Sequence, residues 1–145
     1  MGNLIINSIK LTSLKKFPKN EGDVYHAMKI TDIGFSGFGE AYFSFLEVGC
    51  IKAWKLHLSM TLNLVVPIGV VRFVCAETIN GPFREFHIDS NHNYARLTIP
   101  PGIWLGMQNI NFEKSIILNL ANLIHDEEEV KKIGFDEIEF DWEKK

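Results

Sequence analysis

Cysteine, proline and long apolar runs are all scarce in this 145-residue chain, which has two cysteines and five prolines. Cys50 and Cys75 lie inside apolar, strand-like stretches without CxxC spacing, so reduced buried thiols are expected rather than a disulfide framework. No stretch reaches the roughly 18 to 20 apolar residues that cross a bilayer, and the N-terminus lacks a basic segment followed by an apolar one. The expectation is a cytoplasmic protein with no membrane partner. Excess positive charge is missing as well. With 15 Lys and Arg against 18 Asp and Glu, a net charge of −3 and scattered basic residues, no field is available to hold a nucleic-acid backbone. The sequence has no P-loop, no GxGxxG after a strand, no HExxH and no Ser/His/Asp order, which leaves hydrolase and nucleoside-triphosphatase chemistry without support. There is no internal repeat, so solenoids and propellers drop out.

What is present is the composition of an ordinary globular protein, 46% apolar and 23% charged with 11 glycines. A chain of this length buries about two thirds of its unfolded surface, enough for one core, and residues 1–145 read as a single domain. Runs rich in Val, Ile, Phe, Tyr and Thr alternate with Gly, Pro, Asn and Asp. This rhythm predicts strands at residues 4–11, 24–30, 41–48, 50–58, 62–66, 70–76, 84–88, 94–99, 103–107 and 115–120, the pattern of an all-β barrel or sandwich. Turn chemistry at residues 19–22, 34–39, 67–69, 80–82 and 100–102 supports the breaks. Residues 126–133 read as the one helix, with an acidic first turn from Asp126 to Glu129, Lys131 and Lys132 near its end, and Gly134 as its stop. The tail at residues 135–142 carries irregularly spaced apolar residues among acids and is expected to dock on the barrel's flank.

Two segments have fixed spacings that resemble the paired motifs of the cupin superfamily. The first places Gly49, Lys55, Leu56, His57, Leu62 and Gly69 where that pattern has Gly, His, any residue, His, Glu and Gly. The second places Pro100, Gly102, Leu105 and Asn109 where it has Pro, Gly, His and Asn. Every gap is right, but of the metal-ligand positions only His57 keeps its ligand. A metal site needs about three converging N, O or S donors, so no metal is expected here and a metal-dependent dioxygenase is set aside. The resemblance implies an all-β, cupin-type jelly-roll barrel with a short C-terminal helix. Residues two apart on a strand share a face, which would place Ile51, Ala53, Lys55 and His57 together against the barrel interior. Without the motif spacing, His57 would read as a hydrogen-bonded interior histidine and Lys55 as a lysine extending to water.

Four segments further resemble the dTDP-4-dehydrorhamnose 3,5-epimerase family and its sugar 3,4-ketoisomerase relatives: residues 17–24, 51–54, 97–104 and 117–120. The most specific match is Ile99-Pro100-Pro101-Gly102-Ile103-Trp104-Leu105-Gly106-Met107, which follows the family's Ile-Pro-x-Gly-aromatic-x-His-Gly-aromatic pattern with the histidine changed. The resemblance, over roughly residues 10–130, implies an isomerase acting on a nucleotide-linked 4-keto-6-deoxy sugar in cell-surface polysaccharide synthesis. It implies proton abstraction beside the C4 ketone, return of the proton to the other face, no cofactor, and a homodimer. Outward Trp54 and Leu56 would then need a partner surface.

The family's base falls at Lys55, its proton-donating tyrosine at or next to Asn119, and its lysine at Leu62. A phosphate-contacting arginine falls at Glu21, a further family arginine at Lys52, and a glutamate that touches the base at His26. With these groups changed, His57 is the inward residue of a type suited to proton transfer near neutrality. Lys55 could serve as a fixed cation for a phosphate or enolate, or as a base if its pKa were depressed. The candidate catalytic residues are therefore His57 and Lys55, and the candidate substrate-binding residues Lys52, Arg72, His26, Asn119, Leu105 and Leu62. Arg84, His87, Tyr94 and Arg96 are further polar candidates. The alternative is a non-catalytic sugar-nucleotide-binding or partner-stabilising cupin that has lost the proton-transfer groups.

Overall fold

A computed structural model describes residues 4–144. The β-rich runs form twelve strands: β1 (Lys10–Ser13), β2 (Lys16–Phe17), β3 (Val24–Tyr25), β4 (Glu40–Leu46), β5 (Ile51–His57), β6 (Leu62–Ile68), β7 (Val70–Ala76), β8 (Phe83–Asp89), β9 (Ala95–Ile99), β10 (Trp104–Asn109), β11 (Ser115–Ala121) and β12 (Val130–Lys132). Ten of them build two five-stranded antiparallel sheets, ordered β1-β9-β6-β11-β4 and β12-β5-β10-β7-β8, and β2 pairs with β3 in a small ribbon. The two sheets face each other as a jelly roll, the expected cupin barrel. Among the described residues no helix is long and apolar enough to cross a membrane.

The core lies between the sheets. Leu46, Leu62, Leu64, Val66, Leu97 and Ile117 meet Val71, Phe73, Cys75 and Leu105 there. Strand β7 is buried on both faces, because Val71, Phe73 and Cys75 point into the barrel while Val74 packs outward under Trp54, Ile138 and Trp142. That double burial is why the stretch reads as a continuous apolar run rather than an alternating one. The reversal from β6 to β7 passes through Gly69 at φ 115°, where a Cβ would come within 2.8 Å of the Ser115 backbone, so only glycine fits.

Three expectations are corrected. The segment 4–11 opens with a 3₁₀ turn (Ile5–Ser8) and only then enters β1, because Ile6 and Ile9 plug the barrel end while Arg84 donates to both their carbonyls. The strand expected at 24–30 stops at Tyr25, because Arg96 takes the Ala27 carbonyl that a neighbouring strand would have used. Arg96, fully buried, donates to Ala27 and Ile33, each at 2.7 Å, and Asn63 donates to Gly34 at 3.0 Å, clamping residues 27–34 over the outer face of the first sheet.

The largest correction concerns the expected C-terminal helix. Asp126 caps a 3₁₀ turn (Glu127–Glu129), and the chain then runs as β12 along β5, pairing Val130 with His57 and Lys132 with Lys55. A helix would leave the β5 edge open, whereas this strand and the Trp54–Ile133 backbone pair satisfy it. The tail beyond docks on the flank as expected, burying Ile138 and Trp142 against Trp54. The chain's own tail therefore covers Trp54, which needs no partner surface.

Candidate functional site

A cavity of about 500 Å³ opens between the sheets, lined by β4, β6 and β11 on one wall and by β5 and β10 on the other. Its floor is apolar: Leu62, Leu64, Leu105, Met107 and Ile117. The polar groups come from its rim and walls and include Tyr42, Asn119, Lys52, Lys55, His57 and Lys132.

Strand β5 decides which side chains reach this space. Leu105 pairs with Lys55 but Gly106 pairs with Ala53, so Trp54 is the extra residue of a bulge. Cross-strand partners share a face, and Leu105 belongs to the core, so Lys55 and His57 point inward. Beyond the bulge the parity reverses. Lys52, paired with Met107 and through it with inward Phe73, joins Lys55 and His57, while Ile51 and Ala53 turn out beneath the tail. This corrects the expectation that Ile51 and Ala53 share the inner face.

His57 is held by a residue that the sequence hid. Its Nδ1 lies 2.5 Å from Oε1 of Glu129, and both side chains are about nine-tenths buried. Oε2 of Glu129 accepts from the backbone N–H groups of Ser59 and Met60, each at 3.1 Å. Burial alone would raise the Glu129 carboxyl, but the hydrogen bonds from His57, Ser59 and Met60 outweigh it and hold the group below its ordinary value. Glu129 is thus an acceptor-only carboxylate, so the proton of neutral His57 sits on Nδ1 and Nε2 keeps its lone pair.

A stability prediction follows. Because the folded state lowers the Glu129 pKa, its contribution is present above the ordinary value of 4.5 and is lost as pH falls through the folded value. Glu129→Gln should unfold at lower urea than the parent at pH 7, and the gap should close under acid. A gap that persists unchanged at pH 3 would show that the carboxylate's charge is not what matters.

Lys52, Lys55 and Lys132 crowd one side of the mouth. Burial, then Lys132 and Lys52, lower the Lys55 pKa, against an opposing pull from Glu127. None of the three lies within salt-bridge distance of an acid among the described residues. Across the cavity, Asn119 accepts from the Asn63 backbone N–H at 3.2 Å. Its amide nitrogen therefore donates to the Tyr42 hydroxyl at 3.0 Å, and the Tyr42 O–H remains free to donate.

The cavity thus gathers Lys52, Lys55, His57, Leu62, Leu105 and Asn119. It does not include Arg72 or His26. Arg72 lies on the outer face of β7 and donates to the carbonyls of Trp142 at 2.9 Å and Lys144 at 2.5 Å. His26 is exposed beside Phe17, and its carbonyl accepts from Tyr94 at 2.7 Å. His87 is at hydrogen-bond distance from Arg72, while Arg84 and Arg96 hold the loops described above. Sequence reading missed Glu129, Lys132 and Tyr42. Tyr42 sat in a predicted strand, and the other two sat in the predicted helix. Among the described residues no group of three His, Cys, Asp or Glu side chains is placed to hold a metal ion.

No protein-family model and no curated protein matches the chain in sequence. Solved structures do match in fold. A dTDP sugar isomerase from Desulfovibrio desulfuricans G20 superimposes with a TM-score of 0.89 at 28% identity, covering 99% of this chain and 96% of the other. A dTDP-4-dehydrorhamnose 3,5-epimerase from Sulfolobus tokodaii gives 0.77 at 20% identity, covering 91% and 80%. A 3,4-ketoisomerase variant from Thermoanaerobacterium thermosaccharolyticum, in complex with TDP-4-keto-6-deoxyglucose, gives 0.70 at 18%, covering 85% and 86%. The structural neighbours are dTDP-4-dehydrorhamnose 3,5-epimerases and related sugar isomerases, the group that the sequence resembles.

Proposed function

We propose that this chain is an isomerase that moves a proton beside the ketone of a nucleotide-linked 4-keto-6-deoxyhexose, in cytoplasmic synthesis of cell-surface polysaccharide. The observation that carries the reading is the His57–Glu129 pair, whose orientation leaves an imidazole lone pair on the wall of a cavity rimmed by lysines. Support for the substrate class comes from the matched structures, whose names specify dTDP sugars and a 4-keto-6-deoxyglucose nucleotide.

In this reading His57 Nε2 removes the proton from the carbon beside C4, and Glu129 stabilises the imidazolium that results. Tyr42, on the opposite wall with its O–H free, returns a proton from the other side, and Asn119 is its positioning residue. Lys52 and Lys132 take the diphosphate, a task that needs cations and no pKa shift. Lys55, on the same inward face as His57, is placed to act on the C4 carbonyl. Leu62 and Leu105 belong to the apolar floor, which suits the methyl of a 6-deoxy sugar better than a hydroxyl. A non-catalytic binding role gains no support from neighbours that are isomerases.

The enzyme works as a homodimer in this proposal. The outer face of the first sheet carries Phe43 and Phe45, 60% and 53% exposed, on β4, an edge strand with open ladder groups.

Incubating the protein with dTDP-4-keto-6-deoxyglucose in D₂O should wash deuterium into C3 or C5, visible as loss of the proton resonance. The same preparation should sediment with the mass of two chains. Unchanged spectra across dTDP-, GDP- and CDP-linked 4-keto sugars would overturn the isomerase assignment, and the mass of one chain would overturn the dimer.

A further inference from the structure

We infer that Lys55 acts covalently, joining its amine to C4 of the keto sugar as an iminium, so that the proton is drawn from an iminium rather than from a free ketone; this rests on the isomerase reading above. Lys55 and His57 are two residues apart on one inward face of β5, which sets their Cα atoms about 7 Å apart and lets both side chains reach adjacent atoms of one ligand. Lys132 stands directly across the ladder from Lys55, and the bulge at Trp54 turns Lys52 to the same side.

Two features favour covalency over a distant charge. First, the cavity floor is Leu62, Leu64, Leu105, Met107 and Ile117, with no fixed cation or backbone nest among them to hold an enolate oxygen. An enolate there is a poorly compensated anion, whereas the corresponding enamine is neutral. Second, two flanking lysines disfavour a third ammonium, which is the arrangement that frees a lysine amine for attack on a carbonyl. The fall in the Lys55 pKa through burial, Lys132 and Lys52 agrees with this geometry. A bound diphosphate weakens the push from Lys52 and Lys132 but stabilises ammonium and iminium alike, because the two carry the same charge, so the iminium is no less favoured relative to protonated Lys55.

The step balances without a cofactor. The neutral Nζ of Lys55 adds to C4, and the carbonyl π pair moves to oxygen. One proton passes from nitrogen to oxygen and a second is supplied by bulk water through the open mouth, so that the oxygen leaves as water and the C=N bond forms protonated. His57 Nε2 then takes the proton from the neighbouring carbon, and the C–H pair forms a C=C bond while the C=N π pair settles on nitrogen. Reprotonation of carbon restores the iminium, and one water adds to C4 and expels the neutral amine with release of one proton, so the water lost and the proton taken up on the way in are both returned.

The test is reductive trapping with dTDP-4-keto-6-deoxyglucose and sodium cyanoborohydride, run beside deuterium exchange on the same protein. The expected result is a covalent mass gain equal to the reduced ligand, mapped to the peptide containing Lys55. Lys55→Arg, which keeps the charge but not the nucleophile, should lose both the adduct and the exchange; because Lys55 is exposed at the cavity rim, this variant should keep its melting temperature. Exchange in the parent without an adduct overturns the iminium and leaves the isomerase reading standing. Exchange that survives in Lys55→Arg, or an adduct on Lys52 or Lys132, also overturns it. Absence of both exchange and adduct overturns both readings together.

Discussion

His57→Gln is expected to lower the rate of deuterium exchange by roughly 10²- to 10⁴-fold, or about 3 to 5.5 kcal/mol of barrier. The argument starts from Glu129. Its carboxylate is fixed by two backbone N–H groups and therefore cannot follow a displaced partner, so it selects the tautomer and the ring orientation of His57. Gln can still donate an N–H to that carboxylate but has no basic lone pair to offer the sugar. His57→Ala should lose the same activity and also lose stability, because it leaves Glu129 charged, largely buried and short of a donor. The pair of variants therefore separates chemistry from folding: both should fail in exchange, and only alanine should melt early. Glu129→Gln should lower the exchange rate, because the imidazolium formed on proton removal loses the carboxylate that stabilises it. Equal exchange in the parent and His57→Gln would remove His57 from the mechanism.

Much of the barrel was legible because the period-two pattern and the turn residues agree. Strand β7 matches its predicted range, residues 70–76, and the cupin spacing correctly made neighbours of Lys55, Leu62 and Leu105. What failed was facing. In a strand such as β7, apolar at every position but Arg72, no alternation tells inside from outside, so Arg72 was a substrate-binding candidate although the core takes Val71, Phe73 and Cys75. In β5 the alternation is real, but a bulge resets it at Trp54, and no residue type in Ala53-Trp54-Lys55 announces the extra residue. Lys52 was a candidate through family resemblance alone.

The helix expected at 126–133 failed for a different reason. Acids followed by lysines satisfy helix-end electrostatics whether or not a helix forms. The competing demand, an unpaired β5 edge, exists only once the barrel is built. Glu129 was invisible for the same reason, since its role depends on contacts 69 to 72 residues away.

Trp54→Ala should be the most destabilising substitution on the outer side of the second sheet, costing about 3 to 5 kcal/mol, a large share of the stability of a domain this size. Trp54 is 1% exposed and sits in a cluster closed by the tail, 5.4 Å from the Trp142 ring and 6.5 Å from that of Phe140. Its Nε1 also donates to the Phe135 carbonyl at 3.3 Å. The two indoles pack where Gly106 has no side chain, since a Cβ there would come within 2.9 Å of both rings. Removing Trp54 therefore opens a cavity that neither sheet nor tail can close without moving. The damage should also reach the cavity between the sheets. The docked tail follows β12 directly, and β12 follows Glu129, so loosening the tail frees the carboxylate that orients His57. Urea unfolding and exchange measured on Trp54→Ala should both fall, with the activity loss present even where the protein remains folded. A stability cost below about 1 kcal/mol, the level of an ordinary substitution, would show that the tail rests on the barrel without holding it.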